Sequence, residues 1–147
     1  MSLPGAVLFA CTQNRVRSPL AAALLRLRHG REIFVDSCGL KPADEVDPFS
    51  AVVADALGAD LSTHRPKGFE AIDDGSFDLI VSLSPEAHHR ALEFARNMAC
   101  DVVYWPTFDP TLAEGSREQR LDAYRSVRDG LVRRIDAHFG RASTFGG

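Results

Sequence analysis

Apolar residues along this 147-residue chain keep two rhythms. Short continuous runs read as strands, and longer segments with apolar positions three and four apart read as helices. Val7 to Ala10 is the first run. Ser18 and Pro19 stand where an N-cap and a first helical residue belong, which predicts a helix to about Arg28 with Gly30 as its stop. Glu32 to Ser37 reads as a second strand and Cys38 to Val46 as a loop. Asp47-Pro48 repeats the cap-and-proline signal, and Phe49, Val52, Val53, Ala56 and Leu57 follow at helical spacing before Gly58. The stretch from Leu61 to Gly75 is irregular or short-helical. Phe77 to Leu83 is a near-continuous apolar run, suited to a buried parallel strand. Ser84-Pro85 opens a third helix, expected to reach about Asn97, and Asp101 to Tyr104 is the fourth strand. After a loop from Trp105 to Gly115, Ser116-Arg117-Glu118-Gln119 has the form of a capping box. The last helix is expected to bury Leu121, Tyr124, Val127, Leu131, Ile135 and Phe139, with a frayed tail beyond Gly140.

Strands alternating with helices predict an α/β fold, a parallel doubly wound sheet in a single domain with its core from about 6 to 140. In such sheets ligands sit beyond the carboxyl ends of the strands. Cys11, Ser37, Ser84 and the Asp109 loop all follow strand ends, so they are expected to line one crevice.

A net charge of -3 argues against general nucleic-acid binding while leaving room for a local basic site at Arg15 and Arg17. No segment has the length of a membrane helix, and no basic region with a long apolar core opens the chain; a cytoplasmic location is expected. Three cysteines, Cys11, Cys38 and Cys100, make a poor disulfide framework and fit a reducing compartment. His88-His89 is the one histidine cluster and reads as solvated surface, not as a metal site.

The chemistry concentrates between the first strand and the first helix, in Cys11-Thr12-Gln13-Asn14-Arg15-Val16-Arg17-Ser18-Pro19. A loop at a strand's carboxyl end and a helix's amino end gathers backbone N–H groups and the positive end of the helix dipole into an anion site. Arg17 adds a planar fork of donors suited to phosphate oxygens. Such a field favours the thiolate form of Cys11, and Ser18 is placed to hydrogen-bond it. No glycine lies inside the loop, so Asn14 is the residue expected to take the left-handed conformation. A thiolate beside an anion cradle suggests nucleophilic attack on a tetrahedral oxyanion. Asp109, stiffened by Pro110, could protonate the leaving oxygen and then activate water, although Asp-Pro is also an ordinary turn starter.

The Cys-x5-Arg-Ser-Pro motif near the N-terminus and the late Asp109-Pro110 loop resemble those of the low-molecular-weight protein tyrosine phosphatase superfamily, which includes the thioredoxin-linked arsenate reductases. The likeness runs from about Val7 to Phe139. It implies a three-layer domain with a four-stranded parallel sheet in the flavodoxin-like order 2-1-3-4. It implies Cys11 as nucleophile, Arg17 as the phosphate and transition-state ligand, and Asp109 as general acid and then base. Thr12, Gln13, Asn14, Arg15, Val16, Arg17 and Ser18 would wrap the phosphate, and Asn14, Ser18, Ser37 and His64 would form the polar network that shapes the loop. No metal and no cofactor are implied. The implied partners are a phosphorylated protein or small aryl phosphate and inorganic phosphate or a similar oxyanion, with no nucleic acid and no membrane.

The chain also departs from that pattern. Val16 stands where the familiar eukaryotic enzymes have a second loop cysteine, and Thr111-Leu112 follows Asp109-Pro110 where they have a tyrosine pair. The loop after Ser37 has no tryptophan, leaving Trp105, Phe108 or Phe49 as aromatic substitutes at the mouth. Asp47-Pro48, His64-Arg65-Pro66-Lys67 and Trp105 lean towards the arsenate reductase branch. Yet Ser82-Leu83-Ser84-Pro85 carries no resolving cysteine after the third strand, so reduction would need Cys38 or an external thiol. Hydrolysis of phosphotyrosine or another aryl phosphate is the reading preferred here, arsenate reduction the second. A non-catalytic oxyanion-binding module is the third, and the joint presence of Cys11, Arg17 and Asp109 counts against it.

Overall fold

The computed structural model describes residues 3–72 and 76–140. Four parallel strands, β1 (Ala6–Cys11), β2 (Phe34–Gly39), β3 (Leu79–Ser82) and β4 (Asp101–Tyr104), form one sheet in the order β2-β1-β3-β4. The helices are α1 (Arg17–His29), α2 (Pro48–Asp55), α3 (Pro85–Phe94) and α4 (Arg117–Phe139), with 3-10 turns at Phe69–Ala71 and Pro110–Leu112. Val7, Phe9 and Cys11 of β1 point into a core shared with α1, α2 and α4. Leu8 and Ala10 point the other way, against α3, Phe69 and Phe77. The sheet is therefore covered on both faces, as parallel strands with continuous apolar runs require.

Several elements sit where the pattern put them. All six residues expected to bury along α4 are buried, and Ser116 and Gln119 form the reciprocal capping box. Ser84 accepts from the Ala87 N–H at the start of α3, and Asp47 accepts from the Phe49 N–H at the start of α2.

Other elements move. β2 begins two residues later than Glu32, because the N–H groups of Glu32 and Ile33 bond the His29 carbonyl that ends α1. α3 ends at Phe94, short of Asn97. α1 begins at Arg17 with Val16 in the N-cap position and no side-chain cap, so Ser18 lies inside the helix. The buried face of α2 is Ser50, Val53 and Ala54, while Val52 and Leu57 are exposed. The cause is polar: Ser50 Oγ bonds the Asp47 carbonyl at 2.6 Å and the Arg15 carbonyl at 3.3 Å, which turns that face inward. His88 is half-buried rather than solvated. Its Nδ1 lies 2.7 Å from Ser82 Oγ, and its ring stacks on Tyr104 at 5.0 Å between centroids. The tail beyond Gly140 and the end of the Leu61–Gly75 stretch lie outside the described residues. No helix among them is long and apolar enough to cross a membrane.

The phase of these helices is testable by substitution. Ile135→Ala should cost about 2–5 kcal/mol in urea unfolding. Val52→Ser should change stability by no more than about 0.5 kcal/mol, although both positions are apolar in sequence.

Candidate active site

The loop from Cys11 to Arg17 has its carbonyls occupied from behind. Leu40 N–H bonds the Cys11 carbonyl at 3.1 Å, Lys41 N–H that of Thr12 at 2.8 Å, Ala43 N–H that of Gln13 at 3.0 Å and Asp47 N–H that of Arg15 at 3.1 Å. His64 Nε2 donates to the Asn14 carbonyl at 2.9 Å, and the Val16 carbonyl enters α1 through Leu20 N–H at 3.0 Å. In a planar trans peptide the N–H points opposite to its C=O. The amides of residues 12, 13, 14 and 16 are therefore turned away from the 40–47 segment. One of them, Asn14 N–H, meets Cys11 Sγ at 3.3 Å. The loop is a nest of donors around a sulfur.

Asn14 makes the turn at φ 53°, the one non-glycine residue at positive φ among those described. Its side chain is used completely. Nδ2 donates to Ser18 Oγ at 2.8 Å and to Ser37 Oγ at 3.0 Å, and Oδ1 accepts from Lys67 N–H at 2.9 Å. The Asn14 bond occupies an acceptor site of Ser18, leaving the hydroxyl hydrogen for Cys11 Sγ at 3.0 Å or the Cys38 carbonyl at 3.3 Å. A thiolate is acceptor only, so it would take that hydrogen. Gly39 packs behind the turn; a Cβ there would come 2.7 Å from Asn14 N.

Arg17 joins this loop to the one after β4. Nη1 donates to the Thr107 carbonyl at 3.0 Å, Nη2 to Thr12 Oγ1 at 3.4 Å, and Nη2 lies 4.0 Å from Asp109 Oδ2. The second loop is braced in turn, with Trp105 N–H on the Ser82 carbonyl and Thr107 N–H on the Leu83 carbonyl. The loop from Cys11 to Arg17, at the carboxyl end of β1, thus meets Asp109 of the loop after β4, far away in sequence, through Arg17. Residues 6–136, which hold this loop and the sheet, match a family model described as low molecular weight phosphotyrosine protein phosphatase.

The chain belongs to that family. It is 30% identical over 129 residues to the arsenate reductase of Halalkalibacterium halodurans, covering 88% of this chain and 91% of that one. It is 28% identical over 150 residues to a protein-arginine-phosphatase of Geobacillus stearothermophilus, covering 91% and 93%. In fold it matches the tyrosine phosphatase amsI of Erwinia amylovora with a TM-score of 0.74 and 20% identity, over 90% of this chain and 89% of that one.

Within this phosphatase framework, Arg15 behaves differently from the rest of the loop. Its guanidinium turns to Asp47 at 3.1 Å, and the same Asp47 oxygen accepts from Tyr124 OH at 2.8 Å. Burial, with Asp47 beside it, pushes the Tyr124 phenol up, so it stays a donor. Cys38 pairs in register with Ala10, and its side chain belongs to the core on the α3 face, opposite Cys11. Burial pushes its thiol far up, with Cys11 and Asp36 adding to the shift. Of the three aromatic residues considered for the mouth, Trp105 is in the core against Phe9 and Phe139, and Phe49 packs edge-on to Tyr124. Phe108 is exposed beside Asp109. Among the described residues no group of three or more His, Cys, Asp or Glu could hold a metal ion.

The sequence reasoning missed Gly39, Lys67, Thr107 and the second use of Asp47. Gly39 alone carried a local signal, as a glycine near the start of the loop expected after the second strand. Ser18 was legible as a cap and as a partner of the sulfur; the structure has the second role.

Gly39→Ala should lower stability by about 1–3 kcal/mol in urea unfolding and weaken phosphate binding, since the added methyl meets the backbone of the loop. His64 supplies a pH test. Burial lowers its pKa below the ordinary 6.5, Lys67 and Arg26 add to this, and the bond to Asn14 opposes it. As pH falls, the unfolded chain therefore takes up this proton before the folded one. The neutral ring's contribution is whole above about pH 6.5 and is lost as pH drops below it. The urea midpoint should fall between about pH 8 and about pH 5.5, by less in His64→Gln than in wild type.

Proposed function

We propose that the protein hydrolyses aryl phosphate monoesters, phosphotyrosine among them, through a cysteinyl-phosphate intermediate. The observation that carries this reading is a loop whose Asn14 N–H meets Cys11 Sγ at 3.3 Å and whose last residue, Arg17, lies 4.0 Å from Asp109 Oδ2. The amides and Arg17 bind the three non-bridging oxygens and stabilise the charge of the transition state. The Cys11 thiolate attacks phosphorus, an S–P bond forms and the P–O bond to the leaving group breaks. Asp109 gives its proton to the departing oxygen. Its carboxylate then takes a proton from water, whose oxygen attacks phosphorus and releases inorganic phosphate. The thiolate that leaves accepts the Ser18 hydroxyl hydrogen.

Relatives named arsenate reductase suggest a second use of the same loop. Cys38 does not support it as the resolving thiol, because its side chain faces the other side of the sheet. Reduction would then need a thiol from solution.

Turnover of p-nitrophenyl phosphate tests the proposal. Cys11→Ser should abolish it, Asp109→Ala should lower kcat by about 10²–10⁴-fold, and Arg17→Lys should lower it by about 10²–10³-fold. Activity persisting in Cys11→Ser overturns the mechanism. Thiol-dependent arsenate reduction without ester hydrolysis favours the second reading, and faster release of phosphate from phosphoarginine than from phosphotyrosine peptides would overturn the aryl preference.

A further inference from the structure

The geometry points to Thr111 as a positioning residue that decides which oxygen of Asp109 carries the proton. This rests on the phosphatase reading above. Asp109 precedes the 3-10 turn Pro110–Leu112, and its Oδ1 accepts from Thr111 N–H at 3.0 Å. That bond alone is an ordinary cap at the start of a turn. The hydroxyl is the addition: Thr111 Oγ1 donates to the same Oδ1 at 2.7 Å. Thr111 is exposed, so water could satisfy the hydroxyl in its place.

Two donors on Oδ1 engage both of its in-plane lone pairs. A proton arriving on Oδ1 would have to displace one of them. Oδ2, by contrast, faces Arg17 at 4.0 Å. The carboxyl is thereby made unsymmetrical, with Oδ1 held on the turn and Oδ2 directed to the side where substrate oxygens would bind. In the first half of the reaction the proton leaves from Oδ2 to the ester oxygen. In the second half Oδ2 receives a proton from the attacking water.

Without the hydroxyl, Oδ1 keeps one free lone pair. The terminal torsion of an aspartate is soft and close to two-fold, so the carboxyl can then protonate on either oxygen and turn over. Part of the acid population would carry its proton away from the leaving group. The loss should grow with the leaving group's need for that proton.

Thr111→Val removes the hydroxyl and keeps the backbone N–H and the branched shape; Thr111→Ser returns the hydroxyl. Both should melt with wild type, since the side chain is exposed. Phenyl phosphate has a leaving group that needs the proton, and p-nitrophenyl phosphate has one that departs readily as an anion. Thr111→Val should lower kcat/KM about 10-fold on phenyl phosphate and less than about 3-fold on p-nitrophenyl phosphate, with inhibition by inorganic phosphate unchanged. Thr111→Ser should recover to within about 2-fold, and Thr111→Val should add nothing in an Asp109→Ala background. Equal losses on both substrates, no loss on either, or full additivity with Asp109→Ala would each overturn the role of Thr111 while leaving the phosphatase reading intact. A wild-type protein that turns over neither ester, or an Asp109→Ala variant as active as wild type, would instead overturn that reading and this inference with it.

Discussion

A loop that surrounds an anion with its own amides must reverse abruptly, and here it does so without glycine by putting Asn14 in the left-handed region at φ 53°. That conformation costs an L-residue about 1–2 kcal/mol, somewhat less for asparagine, and has to be held from outside. Ser18 of α1, Ser37 of β2, and His64 and Lys67 of the segment before the first 3-10 turn supply the hold. They come from three separate parts of the chain. The strand order matters for the same reason: β2 beside β1 brings Ser37 to the turn and places Gly39 where its lack of a side chain lets the loop settle.

From this constraint the remaining architecture follows outward. Arg17 is the hinge point between the phosphate loop and the loop after β4, bonding Thr107 while standing next to Asp109. Asp47 does comparable work on the other flank, capping α2, binding Arg15 and receiving Tyr124 of α4. The loop is thus tied to α1, α2, α4 and two strands by bonds that need no ligand. Such preorganised donors need little reorganisation during reaction.

How much of this was legible depended on whether the cause was local. α4 could be read residue by residue, because a long amphipathic helix with a capping box carries its packing in its spacing. β4 was read to the residue, and the alternation of elements was enough for the sheet. α2 misled, since apolar Val52 and Leu57 suggested a face that the polar anchors Asp47 and Ser50 turned outward. Ser18 was read as the cap, two residues beyond the observed N-cap Val16, because Ser-Pro is a common helix opening, while the fold spends its hydroxyl on the loop. In the site, Cys11, Asn14, Arg17, Ser37, His64 and Asp109 were named from the motif and the family likeness. Gly39, Lys67 and Thr107 act only through chain segments that meet after folding, and no spacing rule reports such a meeting.

Side-chain alternation along β1 and β2 has a chemical consequence beyond packing. It sends Cys11 to one face of the sheet and Cys38 to the other, while Cys100 lies just before β4, at the end of the sheet away from the loop. Val16 offers no sulfur within the loop itself. A sulfenic acid formed on Cys11 would therefore lie on the other face of the sheet from the Cys38 side chain, and the next rung of oxidation, sulfinic acid, is not returned by ordinary thiols. Where a second cysteine in the loop would store the oxidised site as a disulfide, here a thiol from outside the loop would have to intercept the sulfenic acid.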